Sequence, residues 1–584
     1  MPCSEPLYLD TAVGPAFALV DAPADRVGTA GSAVVVSPPW GWEEVASYRV
    51  RRSWARALAE AGHPTLRLTP PGTGDSAGSP GSPGLVAAWV EAIAAAAGWL
   101  RRSTGVGRVA LLGLGLGGLV GLEAVAAGAA IDDVVLWAIP LSGRRFARET
   151  NAFAAMQEWT ADGDAVLQAG LPEGWIEAGG FAMSAATMAE LEDLKPRLGP
   201  EAAADRALLL GRDGVAAPDG LVGMLGEAGV ETETAAGTGW ARMVSHPERA
   251  ELPATVVDEV HAWLASGSAT GAEPMPAGAA RSALEENGVR ESGAILPQPW
   301  GDAFGVEARP LGPPDPYLHA VFLNAGAVRH VGPNRMWVET ARAWARRGVT
   351  SSRVDLEGIG EADGEPSGVL QVGDFYDDRY VAQVRALLDS LAAKNPERRF
   401  VLVGLCAGAY WAFRAAVEDE RVLGAFLVNA GALRWHPDLL LVREARKGKQ
   451  ALRGRSWKKV LQGKVGPARV ASFARSSLAS GLQHLGGSNW QESLSEEIEA
   501  DLDGLRESET SVWMAFSGSE PLGQEVLQMG LADRLDRWPN LQLEALPGED
   551  HTLRPIAAQR AARDLLDREL EGLIARARGR SKTA

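Results

Sequence analysis

The feature that most restricts the fold is a pattern that occurs twice along the chain. In each copy, a short strand pattern that contains an arginine leads into a loop with three glycines at the same spacing. The copies are related by a constant offset of about 286 residues: Arg67, Gly72, Gly74 and Gly78, then Arg353, Gly358, Gly360 and Gly364. Strand and helix patterns alternate around both copies, and a repeat at a fixed period indicates duplicated units. The sequence therefore predicts two homologous α/β domains, each a mostly parallel sheet flanked by helices, with functional residues at the carboxyl ends of strands.

A stretch with almost no bulky apolar residue separates the two copies. Residues 266–280 read S-G-S-A-T-G-A-E-P-M-P-A-G-A-A, and small residues with Gly and Pro are typical of a linker. We predict a first domain over 1–265, a linker over 266–280 with the boundary near Gly271, and a second domain over 281–584. A chain of 584 residues is long enough for two large α/β units.

Charge and cysteine content exclude several classes of function. The net charge of −17 disfavours a general role on nucleic acid or anionic membranes. Cys3 and Cys406 are too few for a disulfide framework, which fits a reducing compartment. The first residues lack a basic and apolar signal region, and no apolar run reaches the roughly 18 residues of a membrane span. We therefore expect a cytoplasmic protein without a membrane span, and we predict no metal site and no cofactor.

The clearest chemical signal lies in the second half. The apolar run Phe400–Val403 predicts a buried strand, Gly404-Leu405-Cys406-Ala407-Gly408 follows, and a helix pattern begins at Ala409. This is the G-x-S-x-G nucleophile elbow with cysteine in the serine position, where a tight strand-to-helix turn exposes the middle side chain. The N-terminus of the helix supplies an N–H group and partial positive charge that favour a thiolate. A buried structural cysteine in a glycine-rich turn is the alternative.

The first half carries a version of this elbow without a nucleophile. Gly113-Leu114-Gly115-Leu116-Gly117 has Gly115 in the middle position. With Gly118 the same residues also satisfy G-x-G-x-x-G, but a dinucleotide site needs an acidic residue at the end of the next strand. Asp132 and Asp133 precede that strand instead, so the nucleotide interpretation is disfavoured.

A nucleophile of this kind needs a base, which follows it in the chain. Three histidines come after Cys406, namely His436, His484 and His551. His551 follows the strand pattern Leu541–Leu546 and precedes the last helix pattern, which is the position expected for a catalytic base. The other two are interpreted as surface or core histidines.

The acid that orients the base is expected on a turn after the preceding strand. Val512–Phe516 predicts that strand, and Glu520 lies on the turn behind it. A carboxylate there can accept the imidazole N–H and hold its tautomer. Glu525 and Asp550 are the alternatives.

These residues carry a family resemblance over nearly the whole chain. The first half resembles the serine-aminopeptidase-type α/β-hydrolases associated with exosortase systems, and the second half is similar to their relatives with Cys in the elbow. The motifs are Ser37-Pro38-Pro39-Trp40-Gly41, Ser47-Tyr48-Arg49, Gly72-Thr73-Gly74-Asp75-Ser76, Asn324-Ala325-Gly326-Ala327, Gly332-Pro333-Asn334-Arg335-Met336 and the Cys406 elbow.

The resemblance implies a duplicated α/β-hydrolase fold with helical cap insertions and a triad of Cys406, His551 and Glu520. The sequence departs from the usual pattern at Glu520, where Asp is commoner, and at Gly115. In the first half, Asp213 and His246 occupy the acid and base positions but have no nucleophile to activate.

The remaining site residues are predicted from their positions around the elbow. The oxyanion is expected to bind the N–H of Ala407 and one from Ala325 or Gly326. The residues expected beside the substrate are Asn324, Asn334, Arg335, Tyr410 and Trp435.

The predicted function is an acyl hydrolase that acts on an ester or thioester through a Cys406 acyl-enzyme. An acyltransferase that moves an acyl group from a CoA or carrier-protein thioester to an alcohol or amine is one alternative, and a non-catalytic scaffold is another. We predict a cap over about 431–510, and its basic run Arg443–Lys464 suits an acyl-carrier protein, a CoA phosphate or a membrane surface. A solvated cap helix explains the run equally well. The sequence does not predict an oligomeric state.

Overall fold

The computed structural model describes most of both halves. The described residues are 4–23, 31–160, 171–199, 204–267, 280–364, 372–393, 395–440, 443, 490–518 and 520–581.

The first half is built on a nine-stranded sheet in the order β10-β9-β6-β5-β3-β4-β2-β1-β11. The strands from β10 to β4 run parallel, whereas β2, β1 and β11 are antiparallel. A separate hairpin, β7 and β8, lies outside this sheet. The strand bounds are β1 Ser4–Leu9, β2 Ala16–Asp21, β3 Ser32–Ser37, β4 Thr65–Leu68, β5 Arg108–Leu114, β6 Asp133–Trp137, β7 Ile176–Ala178, β8 Phe181–Met183, β9 Arg206–Leu210, β10 Glu231–Ala235 and β11 Ala280–Arg281.

Helices cover both faces of this sheet, because every central strand is apolar on both sides. Apolar side chains of α2 and α3 pack on one face, and those of α1 and α8 pack on the other. The helix bounds are α1 Trp42–Glu60, α2 Leu85–Thr104, α3 Leu116–Ala126, α4 Gly143–Thr160, α5 Ala185–Asp193, α6 Asp219–Glu227, α7 Trp240–Met243 and α8 Ala254–Ser266.

The second half repeats this architecture in the order β12-β13-β14-β16-β15-β17-β18-β19-β20. The strands are β12 Leu284–Glu286, β13 Val289–Gln298, β14 Gly301–Pro310, β15 Leu318–Phe322, β16 Thr350–Asp355, β17 Arg399–Leu405, β18 Val422–Val428, β19 Ser511–Phe516 and β20 Leu541–Ala545. The helices are α9 Met336–Arg346, α10 Asp378–Ala392, α11 Ala407–Glu418, α12 Trp490–Glu507, α13 Pro521–Gln528 and α14 Ile556–Ser581.

The two sheets correspond strand by strand. In each, three antiparallel strands lie beside six parallel strands, and the elbow follows a central strand of the parallel set. This confirms the predicted duplicated α/β-hydrolase fold. Of the linker predicted over 266–280, residues 268–279 lie outside the described residues, whereas Ser266 is the last residue of α8 and Ala280 begins β11. Most of the predicted cap, at 441–442 and 444–489, also lies outside the described residues. Directly after the linker, β11 pairs with β1 at the edge of the first sheet.

The repeated glycine loops lie where the two halves meet. The guanidinium of Arg335 donates hydrogen bonds of 2.7–3.3 Å to the backbone oxygens of Gly72, Gly74, Ser76 and Gly78. Arg49 stands at the equivalent position of the first half and donates at 2.8–3.1 Å to Gly360, Ala362 and Gly364. Each half therefore contacts the other through the same loop and the same arginine. This reciprocity is that of an isologous, two-fold interface within one chain.

Buried ion pairs repeat the same symmetry. Arg67 binds both carboxylate oxygens of Glu361, at 2.5 and 2.8 Å, and Arg353 binds Asp75 at 3.0 Å. All four side chains are almost inaccessible to solvent. Charges taken out of water at such cost must stay paired, so these contacts fix how the halves dock.

His330 links the two halves and makes their docking sensitive to pH. Its Nδ1 lies 2.7 Å from Asp355 and its Nε2 lies 2.9 Å from Asp75, and the imidazole is fully buried. Burial lowers the pKa of His330, but the two carboxylates outweigh it and raise the pKa to about 9. When folding raises the pKa of a histidine, its protonation stabilises the folded state, and this contribution is fully present below the unfolded pKa of about 6.5. That contribution is lost as the pH rises through the folded pKa.

We therefore expect the protein to lose about 3 kcal/mol of stability between roughly pH 6.5 and pH 9.5 through His330. Thermal unfolding at several pH values measures this, and His330→Gln should flatten the dependence. His246→Gln is the control, because that histidine is half exposed. A His330→Gln protein with the wild-type pH dependence would contradict the assignment.

Candidate active site

Cys406 occupies a strained turn between β17 and α11. Its φ of 58° and ψ of −118° are unusual for a residue with a side chain, and such strain is often found at functional sites. The turn needs glycine on both sides: a Cβ on Gly404 would lie 2.1 Å from the oxygen of Gly408, and one on Gly408 would lie 2.1 Å from that of Asn324. The Cys406 side chain is consequently lifted from the sheet and remains half-buried.

His551 and Glu520 come together beside this turn. The Nδ1 of His551 lies 2.9 Å from Oε1 of Glu520. The carboxylate is 3% exposed, whereas the imidazole is 41% exposed. Glu520 directly precedes α13, and His551 lies in the loop between β20 and α14. Both loops lie at the carboxyl end of the parallel strands, on the same edge as Cys406.

The charge state of His551 is set by its neighbours. Burial lowers the pKa of His551, but hydrogen bonds to Cys406 and Glu520 and the negative charges of both groups raise this pKa to about 11. Water screens part of the attraction because the ring is partly exposed. Both neighbours therefore favour the cationic form of the imidazole. A cationic imidazole beside a thiol favours the thiolate, which is the nucleophilic form.

Asn429 holds the two loops together, and the sequence analysis missed it. Its Nδ2 donates to the backbone oxygen of His551 at 2.9 Å and to Oγ of Ser517 at 3.0 Å. Its Oδ1 accepts the N–H of Ser517 at 2.8 Å. Asn429 is fully buried with a positive φ of 44°. The only signal in the sequence was a polar residue directly after the apolar strand β18.

The alternative acids and bases have other partners. Glu525 binds Arg443 at 2.8 Å, and Asp550 binds Thr552 and Arg554 within its own loop. His436 stacks on Trp490 with ring centres 4.3 Å apart. His484 lies outside the described residues.

The predicted oxyanion donors lie around the elbow. Ala407 is the first residue of α11, so its N–H points out of the helix beside Cys406. The turn with Ala325 and Gly326 is closed by an isolated bridge from Ala325 to Val328, and Gly326 has a φ of 56°.

Asn324 differs from its prediction as a substrate-binding residue. Its side chain is fully buried, donates to Asp355 at 2.8 Å and to the backbone oxygen of Val328 at 3.1 Å, and accepts the N–H of Leu356. These bonds occupy the amide group. Asn324 therefore holds the turn in place.

Arg335 and Asn334 also differ from their prediction. The guanidinium of Arg335 is committed to the glycine loop of the first half and to Glu339. Asn334 lines a cavity at the junction of the halves, a lining that does not include Cys406. No local pattern reveals that Arg335 has its partners about 260 positions away.

Tyr410 and Trp435 both contact a third aromatic ring, that of Tyr376, which the sequence analysis missed. Trp435 stacks on Tyr376 at 4.2 Å, and Tyr410 contacts the edge of Tyr376 at 5.0 Å. Burial raises the pKa of Tyr376 well above its usual value, and the charge of Cys406 raises it further. Cys406 and Trp435 both pack against the apolar core cluster that contains Tyr376 and Tyr410. Tyr376 follows no recognisable motif.

The first half keeps the elbow without its chemistry. Gly115 has a φ of 52° and a ψ of −126°, nearly the angles of Cys406. Asp213 accepts hydrogen bonds from the N–H groups of Gly239 and Ala241, and His246 packs beside Trp42. The backbone of a catalytic turn thus persists, while its acid and base positions have structural partners.

Two further predictions can be compared with the described part of the chain. Within it, no group of three or more His, Cys, Asp or Glu side chains could hold a metal ion. Among the helices of those same ranges, none combines the length and apolar character that crossing a bilayer requires.

The match to a known family lies in the second half. The model of a family described as serine aminopeptidase, S33, matches residues 317–481. No curated protein matches the chain.

Many solved structures show likeness to about half of the chain. A cold-adapted esterase from an Arctic intertidal metagenomic library is 17% identical, covers 49% of this chain and 96% of its own, and has a TM-score of 0.30. A carboxylesterase of the thaumarchaeon Nitrososphaera gargenis is 15% identical, and the match covers 49% of this chain and 99% of that protein, with a TM-score of 0.30. The proline iminopeptidase of Mycobacterium smegmatis is 15% identical, and the match covers 47% of this chain and 100% of that protein, with a TM-score of 0.29. The family match and the strand order of the second half together support an α/β-hydrolase.

Proposed function

We propose that the second half is an acyl hydrolase that cleaves an ester or thioester through a Cys406 acyl-enzyme. The observation that carries the proposal is the hydrogen bond between His551 and Glu520 at the carboxyl edge of the sheet, on which the Cys406 turn also lies. A nucleophile, a base and an orienting acid in this relation form the constellation of acyl-transfer enzymes. The scaffold alternative does not account for the strained backbone that exposes the Cys406 side chain.

The reaction begins with attack by the Cys406 thiolate on the acyl carbon. A carbon–sulfur bond forms and the carbonyl oxygen becomes an oxyanion, which the N–H groups of Ala407 and of the turn at Ala325 and Gly326 stabilise. As this intermediate collapses, the bond to the leaving alkoxide or thiolate breaks. The imidazolium of His551 gives its proton to that group.

The second step regenerates the enzyme. Neutral His551 takes a proton from water, and the resulting hydroxide attacks the acyl-thioester and releases the carboxylic acid. Throughout both steps, Glu520 accepts a hydrogen bond from the Nδ1–H group of His551 and stabilises the cationic ring. Asn429 keeps the loop of His551 and the loop of Glu520 at a constant separation.

The aromatic cluster indicates the kind of acyl group. Tyr376 stacks on Trp435 and meets Tyr410 edge-on, in the apolar cluster against which Cys406 packs, and aromatic surfaces of this kind bind apolar or aromatic groups. We therefore infer an acyl chain with apolar character. CoA or carrier-protein thioesters remain a prediction, because the basic run 443–464 lies outside the described residues apart from Arg443.

The test is to capture the acyl-enzyme. The full chain is mixed with p-nitrophenyl hexanoate or a hexanoyl thioester, quenched in acid and examined by peptide mass spectrometry. We expect a hexanoyl group on the peptide that contains Cys406 and none in the Cys406→Ala protein. Steady hydrolysis with no adduct on Cys406, or an adduct on another residue that forms as fast as turnover, would overturn the proposal. Adding an alcohol or amine acceptor and measuring the products distinguishes hydrolysis from transfer.

A further inference from the structure

A cavity of about 340 Å³ lies at the junction of the two halves, and none of Cys406, His551 and Glu520 lines it. Its volume is within the range of small-molecule sites, about 300–1000 Å³. The apolar walls come from both halves and include Leu85, Trp89, Phe181, Val331, Met336 and Ile556. The cavity is therefore formed only when the halves are docked.

The cavity is not an automatic result of the duplication. By the two-fold relation between the halves, Tyr48 of the first half is the equivalent of Asn334 of the second half. Around Tyr48 the equivalent space measures only about 10 Å³. The buried Tyr48 ring fills it and packs 4.2 Å from the guanidinium carbon of Arg329. The junction is thus closed on one side and open on the other.

The backbone also differs at the open side. Helix α9 begins at Met336, whereas the equivalent position lies inside α1 in the first half. The two residues before α9 have positive φ, 48° for Asn334 and 71° for Arg335. Non-glycine residues rarely adopt this conformation, and it is frequent where ligands are held.

One end of the cavity has hydrogen-bond donors without acceptors. The face of α14 that lines it carries Gln559 and Arg563, one turn apart. Arg563 is half-buried, and no ion pair or hydrogen bond joins it to another residue in the described ranges. The Nδ2 atom of Asn334 is buried and also has no partner among them.

The carboxylates in the lining are already paired, in contrast to Arg563. Glu44 binds Arg51 at 2.7 Å, and Glu339 binds Arg335 at 3.0 Å. Among the lining residues that the structure describes, Arg560 has a partner, whereas the guanidinium of Arg563 and the amide donor of Asn334 have none. These two groups lie next to walls of indole, phenyl and alkyl groups. A ligand that matches them has an apolar body and a single anionic acceptor group.

We propose that this cavity binds a small amphiphilic carboxylate, with its apolar body between the halves and its carboxylate on Arg563. The planar guanidinium binds both oxygens of a carboxylate in a fork geometry. Apolar walls with a few placed polar groups are typical of small-molecule sites. The proposal does not rest on the reaction at Cys406.

The site is connected to the loop that carries His551. Nε2 of Gln559 donates to the backbone oxygen of Gly180 at 3.1 Å and to that of Arg554 at 2.9 Å. The N–H of Ile556 donates to Glu177 at 3.2 Å. A ligand that packs against Phe181 and Ile556 therefore stabilises the contacts that hold the segment after His551. Binding at the junction is thereby coupled to the geometry of the catalytic loop.

Calorimetric titration of the full chain with decanoate tests the proposal. We expect Arg563→Gln to weaken decanoate binding about tenfold or more, because a hydrogen-bonded charge pair is lost. Arg563→Lys should recover part of the affinity. Arg568→Gln is the matched control, since Arg568 lies on the same helix, is 55% exposed and does not line the cavity. Decanol should bind the wild-type protein about as weakly as decanoate binds Arg563→Gln.

Amide hydrogen exchange locates the bound ligand independently. Decanoate should slow exchange in residues 176–183 and 556–563 of the wild-type protein, and much less so in Arg563→Gln. Three results would each overturn the proposal: no binding at millimolar decanoate, equal binding to the wild-type and Arg563→Gln proteins, or protection confined to the segments around Cys406.

Discussion

Replacing His551 by alanine is expected to reduce turnover of an activated ester as severely as replacing Cys406 by alanine, by a factor on the order of 10⁴ or more. His551 is hydrogen-bonded to Glu520, and the negative charge of Cys406 raises the pKa of its imidazole. Without it, the thiol loses the cation that favours its thiolate, and the leaving group loses its proton donor. Initial rates with p-nitrophenyl hexanoate for both variants measure the effect.

The non-additivity of the two changes is the sharper part of this prediction. Residues that act as one unit lose nearly everything when any member is removed, so the double variant should be no slower than either single one. Glu520→Gln should be milder, because the amide can still bind the ring. His436→Ala is the control, since that ring stacks on Trp490 away from the triad. Wild-type turnover in His551→Ala would show that another group is the base.

The parts of the site that sequence could predict are those encoded by local patterns. The elbow around Cys406 needs glycines at two fixed positions because backbone oxygens lie about 2.1 Å from where a Cβ would be. Glycine spacing between a strand and a helix is visible in any sequence. His551 and Glu520 were likewise placed by the strands that precede them, since parallel strands end at one edge.

The parts that sequence could not predict depend on contacts between distant segments. The sequence predicts Arg335 beside the substrate, yet its guanidinium binds a loop about 260 positions earlier. Asn429 and Tyr376 carry no motif, and their roles depend on what the fold brings beside them. The glycine repeat indicated duplication correctly. It did not indicate that the repeated loops are the surfaces by which the copies bind each other.

The most destabilising single change is expected at this junction. Arg67 makes three hydrogen bonds to carboxylates, two to Glu361 and one of 2.8 Å to Asp21, and is 4% exposed. Arg67→Met leaves both carboxylates buried without this partner. Removing one partner of a buried ion pair typically costs about 3–5 kcal/mol. We expect a loss of this size in the first transition of a urea unfolding curve.

Two further variants show whether the loss comes from an unpaired buried charge. Arg242→Met is the matched control, because Arg242 is 75% exposed in its pair with Glu251 and such surface pairs contribute about 0–1 kcal/mol. Adding Glu361→Leu to Arg67→Met removes one of the two stranded carboxylates, so the double variant should be more stable than Arg67→Met alone. If Arg67→Met cost no more than the control, the ion pairs would not be what fixes the docking of the halves. The apolar contacts of Tyr8, Phe17 and Phe304 at the same junction would then have to stabilise it alone, and the cavity between the halves would depend on them.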